Sequence, residues 1–131
     1  MTKLFRVAFV LFAGSLWSLA LWVAPTLFFE QPDRHLAGVL AGRLFSLETY
    51  LGLGVALLAL VRPGRGRMLW LYTAAALLAV NEFVLKHFME RAHGHGSAWG
   101  LSFGGWHGLS AALYGLAALG VLLIVWNENL R

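Results

Sequence analysis

The sequence predicts an all-α integral membrane protein, an antiparallel four-helix transmembrane bundle with both termini in the cytoplasm. Three observations carry that expectation. Of the 131 residues, 60% are hydrophobic and only 12% charged, with a mean hydropathy of +0.72, where soluble domains carry roughly 25% charged residues. A water-soluble globule of this size would lack the polar residues to cover its surface. Crossing a hydrocarbon core of about 30 Å takes roughly 20 apolar residues in a helix, and four such runs occur, at about residues 4–29, 37–61, 68–89 and 101–126. The links between them are short, which makes successive helices antiparallel neighbours. One four-span domain over residues 1–131 follows.

Taken in order, the first span begins after Lys3 and Arg6, which makes it resemble a secretory signal. Its apolar run exceeds the usual 7–15 residues, and Trp22 stands where cleavage before Pro25 would need a small side chain. The span is therefore expected to stay in the mature protein, with a kink at Pro25. Glu30–Leu36 links it to the second span, and Arg62-Pro63-Gly64-Arg65-Gly66-Arg67 reads as a tight basic turn into the third. A polar segment, Glu90–Gly100, leads to the fourth. Small residues at Gly14 and Ser18, at Gly38 and Gly42, and at Gly104, Gly108 and Ala112 predict faces where helix backbones approach closely.

Basic residues set the orientation. Lys3, Arg6, Arg62, Arg65, Arg67 and Arg131 share one side, whereas the opposite loops hold Arg34 and Arg91. Positive charge is retained inside, so both termini are expected in the cytoplasm, in a bacterial inner membrane. The same placement explains the pI of about 10.1. These residues flank apolar runs and form no continuous stripe, so nucleic acid is not an expected partner. The lipid bilayer is one. Absence of cysteine excludes disulfides, thiolate metal sites and a cysteine nucleophile. No P-loop, dinucleotide fingerprint, nucleophile elbow or metalloprotease motif occurs, so no catalytic residue is assigned.

Arg43 and Glu48 lie within the second span, Glu82 and Lys86 within the third. A charge at mid-bilayer costs about 2.5–3.5 kcal/mol on insertion scales, so such residues are expected to face protein and pair. At about 1.5 Å per residue, Arg43, Glu82 and His107 come to similar depths of roughly 9–10 Å below the outer ends of their helices. A buried polar layer of Arg43, Glu48, Glu82, Lys86 and His107 is therefore expected, with Arg43 paired to Glu82 across helices. Glu48, with no cation in reach, is expected either to be protonated or to lie beside His107 or Tyr114. All five histidines, His35, His87, His93, His95 and His107, fall on the outer half. His93 and His95 are expected on a flexible loop. Without thiolates, imidazoles suit copper or zinc in a nitrogen and oxygen site, and His107 among glycines would suit haem. His107, His87, His93 and His95 are the candidate copper or haem ligands. His-x-x-x-His spacing is absent.

Several segments together resemble the transmembrane-protein-205-like family of small four-helix membrane proteins. They are Trp22-Val23-Ala24-Pro25-Thr26-Leu27-Phe28-Phe29, Leu36-Ala37-Gly38-Val39-Leu40-Ala41-Gly42-Arg43-Leu44-Phe45, Asn81-Glu82-Phe83, and Trp106-His107-Gly108-Leu109-Ser110 with Leu113-Tyr114. Pro25, Gly38, Gly42, Phe45, Asn81, His107 and Ser110 match its pattern, and Lys86-His87 departs from it where a proline is expected. That family is similar to copper-resistance D membrane domains and to haem-binding protoporphyrinogen oxidases. The resemblance implies a four-span membrane fold and no agreed activity. Two functions are expected from the whole: an accessory subunit or assembly factor of a larger membrane complex, or of a self-associated form, and alternatively a copper- or haem-binding protein with a polar site on the outer side.

The charge asymmetry generates a direct test of orientation. In the cysteine-free chain, single cysteines at Thr2 and Ser97 should differ in intact cells, an impermeant thiol reagent labelling position 97 alone. Labelling at position 2 instead inverts the topology.

Overall fold

The computed structural model describes residues 3–61 and 68–129. The Arg62–Arg67 turn expected from sequence, Thr2 and Arg131 lie outside them. Among the described residues, four helices are long and apolar enough to cross a membrane. They are α1 (Lys3–Glu30), α2 (Arg34–Leu60), α3 (Leu69–His95) and α4 (Phe103–Asn129). A two-residue ladder, β1 (Ser97–Ala98) with β2 (Leu101–Ser102), joins α3 to α4. The chain divides into two compact units, Met1–Arg65 and Gly66–Arg131.

In the first unit α1 and α2 pack along each other. The turn between them is only Gln31–Asp33, because Asp33 caps α2, its carboxylate accepting from the backbone N–H groups of His35 at 2.9 Å and Leu36 at 3.2 Å. A cap of this kind contributes about 1 kcal/mol. Helix α2 therefore starts three residues earlier than the apolar run suggested. On α1 the buried residues are Phe5, Phe9, Phe12, Leu16 and Leu19. Their alternating steps of four and three residues form the seam of a left-handed helix pair. The buried positions on α2 are mostly small, among them Ala37, Ala41, Gly52, Ala56 and Ala59, so bulky side chains on one helix are matched by small ones on the other.

Pro25 leaves its trace as a π-helical turn over Leu19–Val23, just ahead of the ring. Proline lacks an N–H and its ring crowds the carbonyl four residues back. Widening the preceding turn relieves that crowding while the Ala24 N–H bonds the Leu19 carbonyl. A second π turn, Asn81–Leu85, interrupts α3, with the Lys86 N–H on the Asn81 carbonyl.

In the second unit α3 and α4 run antiparallel, shown by contacts whose numbers fall on one helix as they rise on the other. Gly120 stands opposite Trp70 and Ala74, Ser110 opposite Asn81, and Trp106 opposite Phe88. Buried Leu71, Ala74, Ala75, Leu78 and Leu85 face the interior from α3, and Tyr114, Ala117, Ala118, Val121 and Ile124 from α4. A Cβ built on Gly120 would lie 3.6 Å from the Trp70 carbonyl oxygen, so the close approach of these helices is there. It is not at Gly14, Gly38, Gly42 or Gly108, and the side-chain position of Gly104, also singled out from sequence, lies outside the described residues. A Cβ at Gly14, Gly38, Gly42 or Gly108 would meet nothing within 4 Å.

Helix α3 continues to His95, beyond the expected end at residue 89, and Gly96 with φ +80 then terminates it. His93 and His95 thus occupy a last helical turn rather than a flexible loop. Basic side chains there complement the partial negative charge of the helix end, and glycine in the left-handed conformation is the common stop.

Candidate functional site

Polar side chains in an apolar helix are costly unless satisfied. Three hydroxyls are satisfied locally. Ser46 donates to the Gly42 carbonyl, Thr49 to that of Phe45 and Thr73 to that of Leu69, each across one turn. Such back-bonding costs a helix little and leaves no free donor.

Glu48 is buried, and its partner comes from the neighbouring helix: Ser15 Oγ donates to Glu48 Oε1 at 2.8 Å. The same hydroxyl lies 3.1 Å from the Phe12 carbonyl oxygen. This contact ties α1 to α2 near mid-span. Ser15 is not legible in the sequence as this partner, because a hydroxyl on another helix is invisible to spacing along one helix.

In the second unit, Lys86 Nζ reaches Glu82 Oε1 at 3.1 Å, with Glu82 the more enclosed partner. Ser110 Oγ donates to Asn81 Oδ1 at 2.6 Å, joining α4 to α3 at the π turn. Asn81 opens the widened turn, and three residues that match the family-like pattern, Asn81, His107 and Ser110, fall within this region. Arg43 and Glu48 belong to the first unit, and Glu82, Lys86 and His107 to the second. Arg43 is exposed on α2, with no hydrogen bond or ion pair among the described residues. His107 is exposed on α4, and His87, His93 and His95 are exposed on α3.

At the joined end of α3 and α4 an aromatic cluster holds the ladder down. Phe88 stacks on Trp106 with centroids 5.0 Å apart and meets Trp99 edge-on at 5.9 Å. Trp106 Nε1 donates to the Ala98 carbonyl at 2.8 Å in a buried bond. Offset stacks and edge contacts of this kind contribute about 0.5–1.5 kcal/mol beyond area burial.

Among the described residues no three His, Cys, Asp or Glu side chains come together as a metal-binding set. The candidate copper or haem ligands His87, His93, His95 and His107 therefore form no such group there.

Comparison with known proteins adds one finding. A family model described as a domain of unknown function, DUF4149, matches residues 7–98. No curated protein and no solved structure matches. The matched segment contains Ser15, Glu48, Asn81, Glu82 and Lys86, and ends within the ladder.

The Ser15–Glu48 contact generates a stability prediction. Interhelical hydrogen bonds in membrane proteins contribute on average about 0.6 kcal/mol and up to about 2. A double-mutant cycle of Ser15→Ala and Glu48→Ala, read by unfolding in mixed detergent, should give a coupling within that range. Strict additivity would remove the pair.

Proposed function

This chain belongs to the DUF4149 family, whose function is unknown, and on that footing we propose that it is a non-catalytic accessory subunit or assembly factor of a membrane complex. The observation that carries the reading is Arg43. Helix α2 has 27 residues, about 40 Å, against a hydrocarbon core of about 30 Å. Nine residues from its start, Arg43 sits about 8 Å inside the apolar layer if the overhang is shared equally. It lies on an exposed stripe of Leu36, Val39, Leu47 and Tyr50. A guanidinium at that depth requires an acidic or strongly polar partner, and the described residues provide none.

A helix of another membrane protein, carrying a carboxylate opposite Arg43, would satisfy it. Gly38 and Gly42 border the same stripe with open space above them, which would let that helix come close. The distribution of basic residues supports cytoplasmic termini and a bacterial inner membrane as the setting. The alternative, a copper- or haem-binding protein, draws its support from the resemblance to copper-resistance D and haem-binding domains and from His107, which stands on α4 next to the open face of Gly108.

Copurification in mild detergent tests the proposal. The wild type should carry a stoichiometric membrane partner, and Arg43→Glu should weaken that association more than tenfold, as loss of a desolvated charge pair of about 2–5 kcal/mol implies. A partner-free wild type with a haem spectrum or bound copper that His107→Ala abolishes would replace the subunit reading with the second one.

A further inference from the structure

At the joined end of α3 and α4, a recess of about 450 Å³ is lined by Arg91, His95, Ser97, Ala98 and Trp99. That volume falls within the range of about 300–1,000 Å³ typical of small-molecule sites. Its composition is selective. Arg91 and His95 are one helical turn apart and so share a face of α3. Both are exposed, and neither has a hydrogen-bond or ion-pair partner among the described residues. Ser97 adds a hydroxyl and Trp99 an indole N–H, so the wall offers several donors and no carboxylate.

The turn that closes the recess is built at a cost. Trp99 has φ +50 and Gly100 φ +79, so both central residues of the two-residue hairpin are left-handed. Turns of this kind favour Asn-Gly or Asp-Gly, and a bulky side chain in that conformation is an outlier. Trp99 is nonetheless 80% exposed, so burial does not repay the strain. Its edge contact with Phe88 fixes the ring beside the recess. Backbone strain of this kind is retained where the side chain serves a site.

Location narrows the ligand. Helix α3 also spans about 40 Å, so its last turn emerges at the level of the lipid headgroups. Tryptophan is enriched at that level, and basic pockets at helix ends bind lipid phosphates. The planar fork of arginine matches phosphate oxygens with two parallel hydrogen bonds. The end of α3 presents a partial negative charge, so the backbone does not attract an anion there and the side chains must, with Arg91 foremost.

We infer that this recess binds a phosphate ester, with Arg91 and His95 holding the phosphate and Trp99 covering the glycerol or alkyl part beside it. The ligand is an anionic phospholipid headgroup or a soluble phosphate ester of the same chemistry. The site is independent of Arg43 and of the subunit reading.

Native mass spectrometry of the full-length protein, freed of lipid in detergent and titrated with phosphatidylglycerol or with glycerol 3-phosphate, tests it. Arg91→Gln should weaken binding about tenfold or more, and Arg34→Gln, on the other unit, should leave it unchanged. Trp99→Asn suits the turn better than the native residue, so it should preserve or raise thermal stability while weakening binding. Retention of phosphatidylglycerol alone assigns a lipid, and saturable binding of glycerol 3-phosphate assigns a soluble ester. Equal binding of both probes by wild type, Arg91→Gln and Trp99→Asn overturns the site, as does failure of the wild type to bind either.

Discussion

Lipid provides no hydrogen bonds, and the rest of this structure depends on that. Every backbone N–H and C=O within the apolar layer must be paired inside its own segment. Helices satisfy the rule, and the chain keeps to it even where it bends. The π turn ahead of Pro25 changes the partner of the Ala24 N–H without leaving it unpaired, and the turn at Asn81–Leu85 does the same for Lys86. The reversal at Gln31–Asp33 spends almost no residues because the Asp33 carboxylate occupies the donors that open α2. With the backbone closed in this way, the apolar surface can face outward: Leu47 is 65% exposed at the middle of α2 and Leu116 55% at the middle of α4.

Much of this was legible in the sequence, because span length and charge placement follow from the thickness of the bilayer and the cost of charge within it. All four helices fall where the apolar runs lie. Their ends were less legible: α2 begins at Arg34 through a cap that hydropathy does not register, and α3 runs six residues past Met89 because Glu90–His95 is polar yet helical. Within each helix pair the described glycines of these patterns do not mark the close approach, for a physical reason. A small residue permits close approach without requiring it, so Gly108 is open while Gly120, outside any noted motif, meets the Trp70 carbonyl. Partners across helices were the least legible. Glu48 was recognised as needing one, but the choice of Ser15 rests on the rotation of α1 about its axis, which is set by the phenylalanine seam Phe5, Phe9 and Phe12.

The polar side chains divide by whether the protein itself satisfies them. Glu48, Asn81, Ser110 and Trp106 are occupied by contacts within their own units, and they serve chiefly to fix how paired helices sit. Arg43 and Arg91 have no such partner among the described residues. The chemistry we propose for them differs: a carboxylate on a neighbouring helix for the first, a phosphate for the second. For a chain with no catalytic motif, these unmet cations are the most informative features, because each predicts the character of what binds.

The central claim, that these helices present their exposed apolar faces to hydrocarbon, is tested most directly by collision measurements on nitroxide labels. The chain has no cysteine, so single cysteines at Leu47, Leu116 and Ser97 can be labelled without background in protein reconstituted into bilayers. At positions 47 and 116 dissolved oxygen should relax the label strongly and a water-soluble nickel complex hardly at all, with the order reversed at position 97. Relaxation by the nickel complex at 47 and 116 as strong as at 97 would contradict the account, since those faces would then meet water.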